Sequence, residues 1–122
     1  MAVAYENLIV AGGRFTNDGG DIETVTVPAN STIKRGTVMG KITASGKYVT
    51  SLSASSDGSQ IATTILAEDA VNDTVSPVDI KVVIYKKGTF NSLGVVFGTG
   101  QTLANTKDSL HNVSIEITLG VA

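Results

Sequence analysis

The sequence contains no cysteine and no tryptophan, only two prolines and one histidine, and charged side chains make up 16% of its 122 residues. Without thiols there are no disulfides and no thiolate metal sites, so stability has to come from packing and association, and the composition fits folding in a reducing cytosol. A formal net charge of −2 provides none of the clustered Lys and Arg that binding to nucleic acid or an anionic membrane calls for, and neither is expected as a partner. The amino terminus "MAVAYENLIVAGG" has no basic leader, and no run of about 18 apolar residues occurs anywhere, so neither a secretory signal nor a membrane span is expected.

The same scarcity thins out chemistry. His111 stands alone near an expected helix end, where a capping or solvated role fits a cation, and no nucleophile-elbow signature accompanies it. "NDGGD" around Asp18 and Asp21 lacks the later bidentate acid of a calcium loop, and Asp69 and Asp73 are spaced as turn residues. "GTGQTL" lacks the Gly-Lys-Ser/Thr ending of a phosphate loop, and Leu103 stands where a dinucleotide fingerprint needs its third glycine. No enzyme, cofactor or metal centre is expected. Three N-x-[ST] triplets, at Asn30, Asn72 and Asn112, read as chance in a Ser/Thr-rich chain.

What is present is β punctuation. "ENLIV", "IETVTV", "GTVMGKI", "KYVT", "IATTILA", "DIKVVIYKKGTF" and "LGVVF" are short apolar or branched runs separated by Gly, Pro, Asn and Asp. "DIKVVIY" reads as a central strand with Lys86 and Lys87 guarding its wet end. One stretch departs from this pattern. In "GTGQTLANTKDSLHN", Leu103, Thr106, Lys107 and Leu110 fall at helical spacing behind Gln101 or Thr102, so a short helix near 101–111 is expected, burying Leu103 and Leu110 and exposing Lys107 and Asp108. "VSIEITL" returns to strand with Val113, Ile115 and Ile117 on one face. The fold class is mainly β with one short helix (α+β): a compact barrel-like domain over 31–122, preceded by an extended amino-terminal arm over 1–30.

That arm is rich in Gly, Asn, Asp and Thr, with brief apolar patches at Leu8 to Val10 and Ile22 to Val27. Such a segment can gain order by adding a strand to another protein's sheet edge; a loosely packed edge hairpin of the same domain is the other reading. Within "KRGTVMGKITASGKYV", Gly36 is expected to form a turn before a strand and Gly40 a bulge or close approach, while Val38, Met39, Ile42 and Val49 supply core. Gly46, Gly58 and Gly88 are the remaining turn glycines, with Gly58 and Gly88 at hairpin or bulge positions needing positive φ. Lys34, Arg35, Lys41 and Lys47 are expected to be solvated.

"IKRGTVMGKIT" followed by "GKYV", then "SDGSQIATTILAEDA", then the strand into "YKKGTFN", resembles the head decoration protein D family of lambda-like tailed bacteriophages. The resemblance runs from Ile33 to Asn91, and "TLANTKDSLHNVSIEIT" fits the family's carboxyl end more loosely; the arm before Thr32 matches weakly or not at all. Thr64 replaces a glycine frequent in the family, and the family's tryptophans are absent, leaving Tyr48, Tyr85, Phe90 and Phe97 as the large anchors. The resemblance implies a homotrimer on the outer surface of the virion capsid, bound to the major capsid protein at three-fold and quasi-three-fold positions after assembly in the host cytoplasm, and stabilising the expanded head against DNA pressure. It also implies that the arm carries the capsid contacts, with Tyr5, Leu8, Ile9, Val10 and Phe15 as the residues involved. The alternative is a stand-alone ligand- or carbohydrate-binding β module, which three Phe and three Tyr without Trp fit poorly.

Overall fold

A computed structural model describes residues 20–118. Strands β1 (Gly20–Val27), β2 (Ser31–Ile33), β3 (Val38–Lys41), β4 (Tyr48–Thr50), β5 (Ala62–Leu66), β6 (Ala70–Asn72), β7 (Val78–Tyr85) and β8 (Gly88–Asn91) lead through a 3-10 turn (Ser92–Gly94) to helix α1 (Leu103–Asn112) and strand β9 (Ile115–Thr118). Five strands close a barrel in the order β1-β4-β3-β5-β7, β2 and β6 form an antiparallel ribbon, and β8 and β9 form a parallel pair. The fold is therefore mostly β with one α-helix among the described residues. No described helix is long and apolar enough to cross a membrane.

Alternation explains the barrel. Along β7, Val82 and Ile84 are buried and Ile80 packs beside them, while Lys81 faces out, and Val25 and Val27 of β1 close over them from the opposite strand. Met39, Tyr48, Leu66 and Ile33 complete this interior. A second core lies outside the barrel wall, where Val38, Ala62, Ile65, Ala67 and Tyr85 meet Phe90, Leu110 and Ile115 of the β8-α1-β9 unit. Tyr85 and Phe90 stack at a tilt, ring centres 5.2 Å apart. The wall between the two cores holds the fully buried Met39, Ile65, Leu66 and Ile84, and each such side chain contributes about 1.5–3 kcal/mol.

Three expectations need correction. "IETVTV" belongs to the barrel, since Gly20–Val27 pairs with β7 along its whole length, so an arm reaching residue 30 contains a strand of the body. "LGVVF" is not a strand; its only sheet contact is an isolated parallel bridge between Val96 and Thr37, because the 3-10 turn consumes its first residues. The buried stripe of α1 is Thr106 and Leu110, one turn apart, while Leu103 is half-buried. Thr106 tolerates burial because its hydroxyl donates to the Thr102 carbonyl at 2.7 Å. Helix α1 starts where its cap dictates: the Thr102 side chain accepts from the Asn105 N–H, and the Asn105 side chain accepts from the Thr102 N–H.

Candidate functional site

The described chain begins at one end of the barrel. There the β1–β7 ladder brings Asp21 and Glu23 beside the turn that follows Tyr85. Lys86 reaches back over this rim, its Nζ 2.5 Å from Glu23 Oε2 and 3.1 Å from Asp21 Oδ2. The Asp21 carboxyl is held below the usual carboxylate range by the hydrogen bond from Lys86 and then by the Ile22 N–H. The Lys86 ammonium is pushed up, first by its bond to Glu23. Tyr48 lies buried beneath, and burial raises its hydroxyl. Lys86, Asp21 and Glu23 are solvent-accessible ions, so the cluster fixes geometry more than it adds stability. On the outer face of the same ladder, Ile22 stands opposite Val83, Thr24 opposite Lys81 and Thr26 opposite Asp79. The Lys47 ammonium and then the Thr26 hydroxyl donate to Asp79 and lower it.

The opposite end of the barrel is apolar and rich in threonine. Two shallow grooves of about 280 and 300 Å3 share Pro28, Ile33 and Thr50 and extend to Val96 on one side and to Leu52 and Pro77 on the other. Beside them the β2–β6 ribbon ends in Val75, 87% exposed. Asn72 anchors the ribbon: its Nδ2 donates to the carbonyls of Val27, Pro28 and Ser76, and its Oδ1 accepts from the Thr74 N–H and hydroxyl. A third groove, about 480 Å3, runs between α1 and β9 and is lined by Leu103, Lys107, Leu110, His111, Ile115 and Ile117 among others. His111 is exposed in the last turn of α1. Among the described residues, no three His, Cys, Asp or Glu gather into a metal-binding group.

The residues expected to grip a partner, Tyr5, Leu8, Ile9, Val10 and Phe15, lie outside the described residues. Gly36, Gly46, Gly58 and Gly88 take φ of +94°, +76°, +105° and +135°. Gly40 is constrained differently, by close approach: a Cβ there would land on the Ser59 carbonyl oxygen, at the point where the β3–β5 register shifts. Val38 and Met39 are fully buried, whereas Ile42 and Val49 line the end groove. Lys34 and Lys41 are exposed. Arg35 and Lys47 are more engaged than expected: the Arg35 Nε donates to the Ala67 carbonyl, its N–H donates to Asp69, and Lys47 pairs with Asp79.

Sequence reasoning missed three features. Asn72, set aside as part of a chance triplet, anchors the ribbon. Gly98 and Gly100 pack against Ser51 and Ser53 so closely that a Cβ would collide, where Gln101 ties the segment before α1 to the Ser51 hydroxyl and the Gln60 carbonyl. The "GTG" spacing carries that signal, which the two nucleotide-loop comparisons do not draw out. The third is Asp21, weighed only against a calcium loop and found on β1, where it meets Lys86.

The profile of a family described as bacteriophage lambda head decoration protein D matches residues 14–115. That span takes in β1, which the motif-level resemblance left out, and ends at the first residue of β9. No curated protein matches the chain.

Proposed function

The chain belongs to the bacteriophage lambda head decoration protein D family, and from that premise we propose that it is a non-enzymatic cement protein, trimeric on the outer surface of the expanded head. Decoration of a phage capsid follows from the family. The finer reading concerns how the grip works: an amino-terminal arm, residues 1 to about 14, adds a strand to the major capsid protein, and three arms act together at three-fold and quasi-three-fold positions against the pressure of packaged DNA.

The observation that supports this is the root of the arm. The chain before residue 20 runs directly into β1, whose eight residues are all paired with β7. Tension applied there is spread in shear over the longest ladder of the barrel rather than peeling a loop. One arm burying a few side chains such as Leu8 and Val10 gains several kcal/mol gross at about 25 cal/mol per Å2, much of it offset by ordering the chain. Linking three weak attachments on one rigid body raises overall binding by roughly 10²–10⁴. It also makes binding depend on the spacing of the three sites, which distinguishes expanded from unexpanded shells.

The test is cosedimentation with expanded and unexpanded heads. The full chain is expected to pellet with expanded heads, and a chain lacking residues 1–14 is expected to stay folded and trimeric by sedimentation but to remain in the supernatant. Equal binding by the shortened chain would refute the role of the arm.

A further inference from the structure

The parallel pair of β8 and β9 stops at β9, and no described strand lies on its other side. The phase of the ladder decides which groups that edge presents. The Gly88 N–H donates to the Ser114 carbonyl at 3.0 Å, and Gly88 stands in register with Ile115. In a parallel ladder the Gly88 carbonyl then accepts from the Glu116 N–H, so both main-chain groups of Glu116 turn toward β8. By the two-residue period those of Ile115 and Ile117 turn outward, two N–H groups and two carbonyls along one edge.

Beside this edge runs the groove of about 480 Å3 between β9 and α1. Its strand wall is Ile115, Glu116 and Ile117 in succession. Consecutive residues mean that the groove follows the edge of β9, since one face of a strand offers only alternate residues. Its helix wall includes Leu103, Lys107 and Leu110, which share a face of α1 at spacings of four and three. A groove with apolar side chains on one wall and main-chain donors and acceptors on the other is complementary to an extended polypeptide. An acyl chain or a small apolar molecule would cover those four polar groups without replacing their hydrogen bonds to water, at a cost.

The helix wall also specifies side chains. Leu103, Lys107 and Leu110 follow one another at rises of about 6 and 4.5 Å, close to the roughly 6.6 Å between alternate residues of a strand. The complement of apolar, cation, apolar is apolar, acid, apolar. Lys107 is exposed, as is His111 one turn on, and among the described residues neither has an ion pair. Pairing β9 with β9 of a second copy would bring a second set of the same cations to the seam, so charge favours a foreign segment.

Apart from the arm and its grip on the shell, we propose that the α1–β9 groove is a docking site for an extended segment of another protein. The segment pairs with Ile115 and Ile117 as a third strand of the β8–β9 sheet, sets apolar side chains against Leu103 and Leu110, and brings a carboxylate between them to Lys107. β9 is four residues long, about 13 Å, so a short linear motif fills the site.

The probe is the synthetic peptide acetyl-Val-Thr-Glu-Thr-Val-Thr-amide, which places Val, Glu and Val on one face, titrated into the full chain. Two peptides control it, one with Lys in place of Glu and one N-methylated at alternate residues to block main-chain pairing. The parent chain is expected to bind the probe at least tenfold more tightly than either control. Lys107→Glu, a change at an exposed position without an ion pair, is expected to reverse the preference between the Glu and Lys peptides. With probe bound, hydrogen exchange at the Ile115 and Ile117 amides should slow at least tenfold, while the Glu116 amide, already bonded to β8, changes little. No saturable binding at about 1 mM probe overturns the proposal, as does equal binding of the N-methylated peptide or an unchanged preference in a folded Lys107→Glu chain. Should that variant fail to fold, the two control peptides and the exchange measurement on the parent still decide. Ile115 and Ile117 amides as protected as Glu116 before any probe is added would mean that the chain's own residues fill the edge, or a second copy where that protection falls on dilution; either result refutes a foreign segment.

Discussion

Replacing Asn72 should be among the most damaging single changes to the body of this protein. The side chain is 3% exposed and makes five hydrogen bonds, three as donor to main-chain carbonyls and two as acceptor from Thr74. In Asn72→Ala the Val27 carbonyl loses its partner in a buried place, at about 1–3 kcal/mol, and the remaining bonds, closer to solvent, forfeit several tenths to about 1 kcal/mol each. The sum, about 2–7 kcal/mol, is a large part of the 5–15 kcal/mol typical of a domain. With a urea m-value near 2 kcal/mol/M the unfolding midpoint falls by about 1–3.5 M at fixed protein concentration. Asn72→Asp is the sharper probe. It keeps the acceptor for Thr74 but sets a carboxylate oxygen against three carbonyls, which favours the protonated form and raises that carboxyl's folded pKa above its unfolded value of about 3.9. A raised acid pKa gives stability at low pH that is lost as pH rises, so the deficit of Asn72→Asp should be smaller at pH 5 than at pH 7. Urea titrations followed by circular dichroism at both pH values decide it. A midpoint for Asn72→Ala within 0.5 M of the parent, or an Asn72→Asp deficit independent of pH, would refute the role assigned to this side chain.

Gly40→Ala should lower stability by about 3 kcal/mol or more, because the new methyl meets backbone at Ser59, whereas Gly46→Ala, whose Cβ would only touch the Lys41 side chain at ordinary contact distance and whose strain is its positive φ, should cost about 1 kcal/mol; thermal melts of the two compare them directly. Thr64→Val should stabilise by about 1 kcal/mol, since the Thr64 hydroxyl is buried without a hydrogen-bond partner and valine keeps its shape; a lowered melting temperature would contradict this. Asp21, Asp57 and Asp79 all have depressed folded pKa values, through Lys86, Ser59 and Lys47 respectively. The stability they contribute is present above the unfolded value of about 3.9 and is lost as pH falls through the folded values. Melting temperature should therefore decline below about pH 4 by a smaller amount in Lys47→Met, and an equal decline would show that the Asp79 contact contributes nothing.

The parts of this fold legible in the sequence are those written in local pattern. β7 is an unbroken branched run whose alternation survives tertiary packing, and α1 announces itself through Thr102 and the helical spacing of Leu103, Thr106, Lys107 and Leu110, although its buried stripe is Thr106 and Leu110 rather than Leu103 and Leu110. β6 was hidden because three residues inside "AEDAVND" look like turn chemistry, and only pairing with β2 makes them a strand. Closure between β1 and β4 rests on one residue pair, for which no sequence signal exists. Gly40 was legible as special, but its reason, contact with Ser59, is a long-range fact. Of the candidate site, the motifs identify the family, while the closeness of Lys86 to Asp21 and Glu23 follows only from the β1–β7 register.

The β1–β7 ladder also sets a clock on the ribosome. Thr26 and Asp79, partners on it, are 53 residues apart in the chain. At 5–20 residues per second, the first barrel strand waits roughly 3–10 s for its partner to be synthesised, and longer for that partner to clear the exit tunnel. Folding of this body is in effect post-translational: until β7 arrives, a nascent segment with Ile22, Val25 and Val27 has, among the described strands, only the single Val25–Tyr48 pair with β4 to hold it, and the charged and polar residues between them, Glu23, Thr24 and Thr26, are what keeps it from associating with its neighbours on a polysome.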